Sequence, residues 1–249
     1  MQTTIQIIFM MVFSLAQYSG NAQDKSLSIS SRFVNEKIDI DGKLNEKIYS
    51  ETESVFLVNS INSKVVLDQK YQTKVWIYHD MDNLYVAFEC MDKHIWTKFT
   101  QRDEHLWEEE AVEVFIDTDE NPNDYVEIEV SPSNILYDSY IVDPKNIDVK
   151  ATSAFDLSEI KTAVSIIGTL NDDSDIDEKW QVEISIPFNE LKKNFDSEEI
   201  NNNKWKINFY RINHDDSEYQ YMAWSPTEGS FHTPEVFGTL TFTGPEKKH

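Results

Sequence analysis

Short runs in which apolar and polar residues alternate, separated by clusters of turn-forming residues, recur along the whole chain, and a two-residue period is the signature of strands. In "KVWIYHDMDNLYVAFEC", Val75 and Ile77 alternate with Trp76 and Tyr78, a polar turn of Asp80 to Asn83 follows, and a second run begins at Leu84, which predicts a β-hairpin. "AVEVFID" sets Val112, Val114 and Ile116 on one face and Glu113, Phe115 and Asp117 on the other. "YVEIEVS" repeats the arrangement, with Val126, Ile128 and Val130 opposed to Tyr125, Glu127 and Glu129. One apolar face and one acidic, partly aromatic face predict an antiparallel sheet covered on one side only.

Further strands read at "WQVEISIPF", where Pro187 ends the run, and at "KWKINFYRIN", "EYQYMAWSP" and "FGTLTFTG". A short helix is predicted over 188–195, and the stretches 171–177 and 194–203 read as solvated loops. There is no long repeat and no low-complexity linker. The pattern therefore predicts one all-β domain over residues 26–245, an antiparallel two-sheet β-sandwich of jelly-roll or immunoglobulin-like type.

Composition narrows the partners. With 45 Asp and Glu against 22 Lys and Arg, the formal charge of −23 repels polyphosphate, so a nucleic-acid partner is not expected. Hydrophobic residues at 40% supply a core, and the mean hydropathy of −0.51 argues against an integral membrane span. The opening "MQTTIQIIFMMVFSLAQYSGNAQ" carries an apolar run from Ile5 to Ala16 that is too short to cross a bilayer and is followed by small residues. It predicts a signal peptide over 1–22 and a secreted or periplasmic product. The lone Cys90 cannot form an intramolecular disulfide and reads as a small buried hydrophobe.

Candidate chemistry gathers in two places. In "HLWEEEAVEVFIDTDE", Trp107 stands just ahead of a strand among Glu108, Glu109 and Glu110, and burying it fully would drag carboxylates toward an apolar core. A rim position would offer its flat face to the C–H face of a sugar, with Glu113 accepting from hydroxyls; a plug at the end of the fold is the competing reading. The second place is the loop "WSPTEGSFHTPEVFG", with Phe231 and His232 at its middle, where Phe231 either meets a ligand or anchors the loop. The acidic turns "DMD", "DTDEN", which holds Asp117 and Asp119, and "NDDSDID" are hard-oxygen clusters that read either as metal ligands or as solvated turns, and in "DTDENP" proline stands where an EF-hand loop needs glycine. No GxSxG, HExxH, P-loop or GxGxxG motif occurs. Among catalytic classes, only a glycoside hydrolase using paired carboxylates stays open.

Six segments, "IDIDGKLNEKIYSE", "VWIYHDMDNLYVAFECMD", "LWEEEAVEVFIDTDEN", "WQVEISIPF", "WKINFYRIN" and "WSPTEGSFHTPEVFGTLTF", follow one another in an order that resembles family 9 carbohydrate-binding modules and their DOMON-like relatives. The resemblance implies a β-sandwich that clamps a terminal sugar between two aromatic side chains, with Trp107 as the first, Phe231 as the second, and Glu113 as a polar contact. The family's sugar-binding arginine would fall near Glu129, and Arg211 or Asn213 would take over its hydrogen bonds, beside His232. It further implies a non-catalytic protein that binds glycan chains or their reducing ends during polysaccharide breakdown, beside degradative enzymes, with structural calcium. Some relatives bind haem, for which His79, His94, His105, His214, His232 and Met222 are the available ligands.

Overall fold

The computed structural model describes residues 27–35, 37–66, 68–194, 204–215 and 218–244. The predicted signal peptide lies outside these residues, as does most of the predicted loop over 194–203. Among the described residues the strands are β1 (Ser28–Phe33), β2 (Val55–Phe56), β3 (Val58–Asn59), β4 (Thr73–His79), β5 (Asn83–Met91), β6 (Ala111–Asp117), β7 (Tyr125–Val130), β8 (Leu136–Ile141), β9 (Lys161–Ile167), β10 (Lys179–Pro187), β11 (Lys204–Asp215), β12 (Glu218–Ala223) and β13 (Gly238–Phe242). Three short helices accompany them: α1 (Lys47–Glu51), α2 (Val149–Thr152) and α3 (Phe188–Asn194), the last of which is the helix read from the sequence. No helix among these residues is long and apolar enough to cross a membrane.

The all-β expectation holds. The strands run in one hydrogen-bonded path, β8-β7-β6-β11-β13-β1-β4-β5-β10-β9, with β12 and β2 attached to β11 and β4. The path is nearly closed and barrel-like. Its joint is β1, which pairs in parallel with β13 through Ser28–Ser31 and then with β4 through Arg32 and Phe33. The ladder is therefore not antiparallel throughout, and a single strand carries the chain from one flank to the other. Val112, Val114, Ile128 and Phe209 of one flank share a core with Val75, Phe88, Val182 and Ile184 of the other. Val112, Val114 and Ile128 are among the residues that the two-residue period set on the apolar face of their strands.

The predicted hairpin is β4–β5. The Asp80 carboxylate accepts from the backbone N–H of Asp82 at 2.8 Å and of Asn83 at 2.7 Å, so the turn is closed by its own side chain. The "DG" of the first segment also has a partner. Glu183 on β10 accepts from the N–H groups of Asp41 and Gly42 at 3.0 and 2.9 Å and from the Tyr49 hydroxyl at 2.7 Å. Gly42 has φ +80°, and a Cβ there would lie 2.6 Å from the backbone of Val164, so only glycine lets the chain pass this close to β9. Burial lifts the Glu183 carboxyl to about 7 despite those donors.

One expectation is overturned. The acidic face of β6 and β7 is not open to water: Glu113, Glu127 and Glu129 are 2%, 5% and 0% exposed. That face carries its own apolar cluster of Phe115, Tyr125, Ile141, Tyr210 and Phe237, with Ile147 and Phe231 packed against it. The 224–237 loop and the segment after β8 fold over it. Hence β6 and β7 are covered on both sides, and any chemistry on the acidic face takes place in a shielded setting.

Candidate functional site

Parity along the strands decides which side chains meet under that cover. Directly opposed residues on neighbouring strands share a face, so Glu113 on β6 lies across from Tyr210 on β11 and from Glu129 on β7, and Glu127 lies across from Ser139 on β8. Above this floor opens a cavity of about 480 Å³ lined by Trp107, Glu113, Glu127, Tyr137, Tyr221, Phe231 and His232, among others. Four residues picked from the sequence, Trp107, Glu113, Phe231 and His232, thus come together at one pocket.

Trp107 sits on a single 3-10 turn, Leu106–Glu108, whose Leu106 is fully buried and pins the turn to the body of the protein. The indole is half-buried. His105 stacks on it at 4.5 Å, and Tyr137 meets it edge-on at 5.2 Å. Lys98 bonds to the largely buried Glu109 at 3.0 Å and to the exposed Glu108 at 3.5 Å, which gives both carboxylates a cation outside the core. Trp107 is therefore a rim residue held from below, while Glu110 turns inward and is fully buried.

Phe231 is positioned by Tyr210. The two rings stack at 4.1 Å with 16° between planes, and the Tyr210 hydroxyl donates to the Phe231 carbonyl at 2.9 Å. Asn208, two residues earlier on the same face of β11, donates to the Ser225 carbonyl at 2.7 Å and fixes the start of the loop. At its end the chain returns through Gly238, where a Cβ would lie 2.2 Å from the Trp224 ring, which explains the glycine of the closing "FG". His232 hydrogen-bonds through Nδ1 to the Tyr125 hydroxyl at 2.6 Å and lies 4.0 Å from Glu127. Desolvation lowers its pKa to about 4, so at neutral pH the ring is uncharged.

The floor is acidic and uncompensated. Each of Glu113, Glu127 and Glu129 places an oxygen within 4.8 Å of the others. Glu127 accepts from Ser139 Oγ at 2.7 Å, but one oxygen of Glu113 and both oxygens of Glu129 have no hydrogen-bond partner. Desolvation and then mutual repulsion push Glu113 and Glu129 well above the usual carboxylate range, and burial brings Glu127 to about 7.

Arg211 and Asn213 lie elsewhere. They share parity with Ile207 and Phe209, so they project between the two flanks rather than into the pocket. Arg211 is fully buried and donates to Asp92 at 2.5 Å, Asn213 at 2.5 Å, the Met91 carbonyl at 2.9 Å and Thr73 at 3.2 Å. Glu127, Tyr137 and Tyr221, which the sequence reading left out of the site, line the pocket instead. Glu127 was legible from its parity with Glu129, whereas Tyr221 needed the pairing of β12 with β11. Asp117 and Asp119 lie in the β6–β7 turn, where Asp117 accepts from the N–H groups of Asp119 at 3.0 Å and Asn121 at 3.3 Å, and Asp119 from that of Asn121 at 3.0 Å. Of the haem candidates, His79 bonds to Ser31 at 2.9 Å, Met222 lies in the core and His214 stacks on Tyr219 at 4.2 Å, while His232 lines the pocket and His105 stacks on its rim residue Trp107.

A nearly closed β-fold with an aromatic-rimmed, acid-floored pocket under a folded-back loop defines a small-ligand binding module. The family is shown by sequence: the chain belongs to carbohydrate-binding family 9, whose model matches residues 46–242. It is similar, at 28% identity over 189 residues, to a protein of Arthroderma benhamiae described as an extracellular protein, covering 72% of this chain and 83% of that one. Its fold is similar to that of a family 9 carbohydrate-binding module from Caldicellulosiruptor kristjanssonii in complex with glucose, with TM-score 0.61 and 16% identity over 89% of this chain and 98% of that one. The same comparison with that organism's module in complex with cellotriose gives TM-score 0.60 and 16% identity over 88% and 94% of the two chains.

Proposed function

We propose that this protein is an exported, non-catalytic carbohydrate-binding protein whose β-sandwich presents one sugar-binding pocket between Trp107 and Phe231. The observation that carries the reading is the convergence of both aromatic residues with Glu113 on a single cavity of about 480 Å³ in a family 9 chain. A pyranose packs its C–H faces on aromatic rings and donates its hydroxyls to carboxylates, and the pocket supplies both. The glucose and cellotriose complexes of the similar modules support a glucan or related glycan as the ligand class. The extracellular relative supports an exported protein; on this reading residues 1–22 are the signal peptide and the protein works beside polysaccharide-degrading enzymes.

A hydrolase needs two carboxylates on either side of a glycosidic bond. Here the two carboxylates that line the pocket, Glu113 and Glu127, stand on one face of neighbouring strands, on the same side of the cavity, which favours holding a ligand over cleaving it. The test is a fluorescence titration of the mature protein with mono- and oligosaccharides and with their reduced alditols. Saturable quenching by the sugars but not the alditols supports reducing-end recognition, equal quenching by both supports binding along the chain, and no response to either overturns the reading.

A further inference from the structure

Among the described residues, no Lys or Arg pairs with Glu113, Glu127 or Glu129; the basic side chain nearest to any of them is His232, at 4.0 Å from Glu127. Three buried carboxylates without a cation are costly, since an unpaired buried charge is destabilising by several kcal/mol. Protonation relieves that cost when no cation is bound, and a bound cation relieves it with the carboxylates ionised; the geometry restricts which cation fits. Any two oxygens bound to one calcium-sized ion at about 2.4 Å lie no more than about 4.8 Å apart. The three glutamates meet that condition. Glu129, fully buried and with neither oxygen hydrogen-bonded, lies directly across from Glu113 on the same face and brings an oxygen into the cluster without itself lining the cavity. A bulky ammonium such as that of an amino sugar would reach the front pair but not Glu129. A bare ion reaches all three.

We propose that Glu113, Glu127 and Glu129 together bind one divalent cation of the hard, oxygen-preferring class, calcium or manganese, in the floor of the pocket. Three carboxylates suit that class better than zinc or copper, which favour nitrogen and sulfur. The ion would leave its remaining positions toward the cavity, where water or the hydroxyls of a bound glycan complete them. That second half rests on the carbohydrate-binding reading above; the cation site itself does not. It is separate from the β6–β7 turn of Asp117 and Asp119, whose carboxylates accept backbone N–H groups.

The experiment is calorimetric titration of calcium, and separately manganese, into chelator-stripped mature protein, with glycan titrations run in calcium and in chelator. The proposal expects one ion per chain, a higher unfolding temperature in its presence, and at least tenfold weaker binding in Glu129→Gln and in Glu113→Gln. Both variants keep side-chain shape, and each is checked for folding by circular dichroism. Asp119→Asn should bind the ion like the wild type. Absence of ion binding in the wild type, or binding lost in Asp119→Asn and kept in Glu129→Gln, overturns the proposal. Ion binding without glycan binding sustains the site and removes the carbohydrate reading. Glycan binding that is equal in calcium and chelator, with no ion taken up, does the reverse.

Discussion

Replacing Arg211 by methionine separates a structural arginine from a ligand-binding one. The guanidinium is fully buried with Asp92, lies 5.8 Å from the Trp180 ring, and donates to Asp92, Asn213, Met91 and Thr73. Methionine keeps most of the volume and removes every one of these bonds, leaving the Asp92 carboxylate in the core without its guanidinium. Breaking one side of a buried ion pair costs about 3–5 kcal/mol. For a chain of this size each kcal/mol lowers the unfolding temperature by roughly 2–4 °C, so Arg211→Met should unfold about 6–20 °C below the wild type. Thermal unfolding followed by circular dichroism reads that shift, and a glycan titration at a temperature where both proteins are folded reads the site. The structure expects affinity within about twofold of wild type, because Arg211 projects away from the pocket. A variant of unchanged stability that had lost its glycan affinity would refute the assignment and return Arg211 to the site.

Phe231→Ala should weaken glycan binding by about tenfold or more while Phe231→Trp retains it, since the ring supplies a stacking face and Tyr210 still holds the backbone; calorimetry on both variants checks this. Stability should also depend on pH through Glu183. Its folded pKa of about 7 lies above the ordinary carboxylate value, so the folded state binds more protons than the unfolded one between about pH 4.5 and 7. This contribution is full at the acid end of that window and lost as pH rises through 7, and Asp138, raised to about 6 by burial, acts in the same sense. His232 acts oppositely, because a pKa lowered to about 4 makes the folded state resist protonation and costs stability as pH falls below 6.5. Urea unfolding in chelator at pH 5 and pH 8 should show the slope from Glu183, and Glu183→Gln should reduce it; an unchanged slope would remove Glu183 as a source.

Much of this was legible in the alternating pattern, and the errors share a physical cause. The two-residue period located β4, β5, β6, β7, β10 and β11 and set the inner face of β6 and β7 correctly, because a buried face must be apolar whatever the topology. It could not show that the second face of β6 and β7 would be covered too. Acidic residues ordinarily mark solvent, and here a loop more than a hundred residues later in the chain folds over Glu113 and Glu127. Arg211 and Asn213 were misplaced although the same parity rule applied: they alternate with Tyr210 and Ile212 and fall in step with Phe209, which belongs to the core. The resemblance suggested them as substitutes for the family's arginine, and the buried Asp92 that pairs with Arg211 lies 119 positions away in sequence. Trp107 and Phe231 stood out in sequence, one among carboxylates ahead of a strand and one mid-loop, and the family resemblance paired them; the structure brings both to the same cavity. The joint at β1 left no sign, since its "SISSRF" is too polar to stand out as a strand.

The central claim is that Trp107 and the pocket beneath it bind sugar, and the most direct measurement is calorimetric titration of cellotriose into the wild type and Trp107→Ala in parallel. Trp107 is half-buried on the rim of its own short turn, so the variant should fold and unfold like the wild type within a few degrees. The account predicts saturable binding at one site in the wild type and a loss of at least about thirtyfold, some 2 kcal/mol, in the variant. Equal affinity in the two proteins would contradict it.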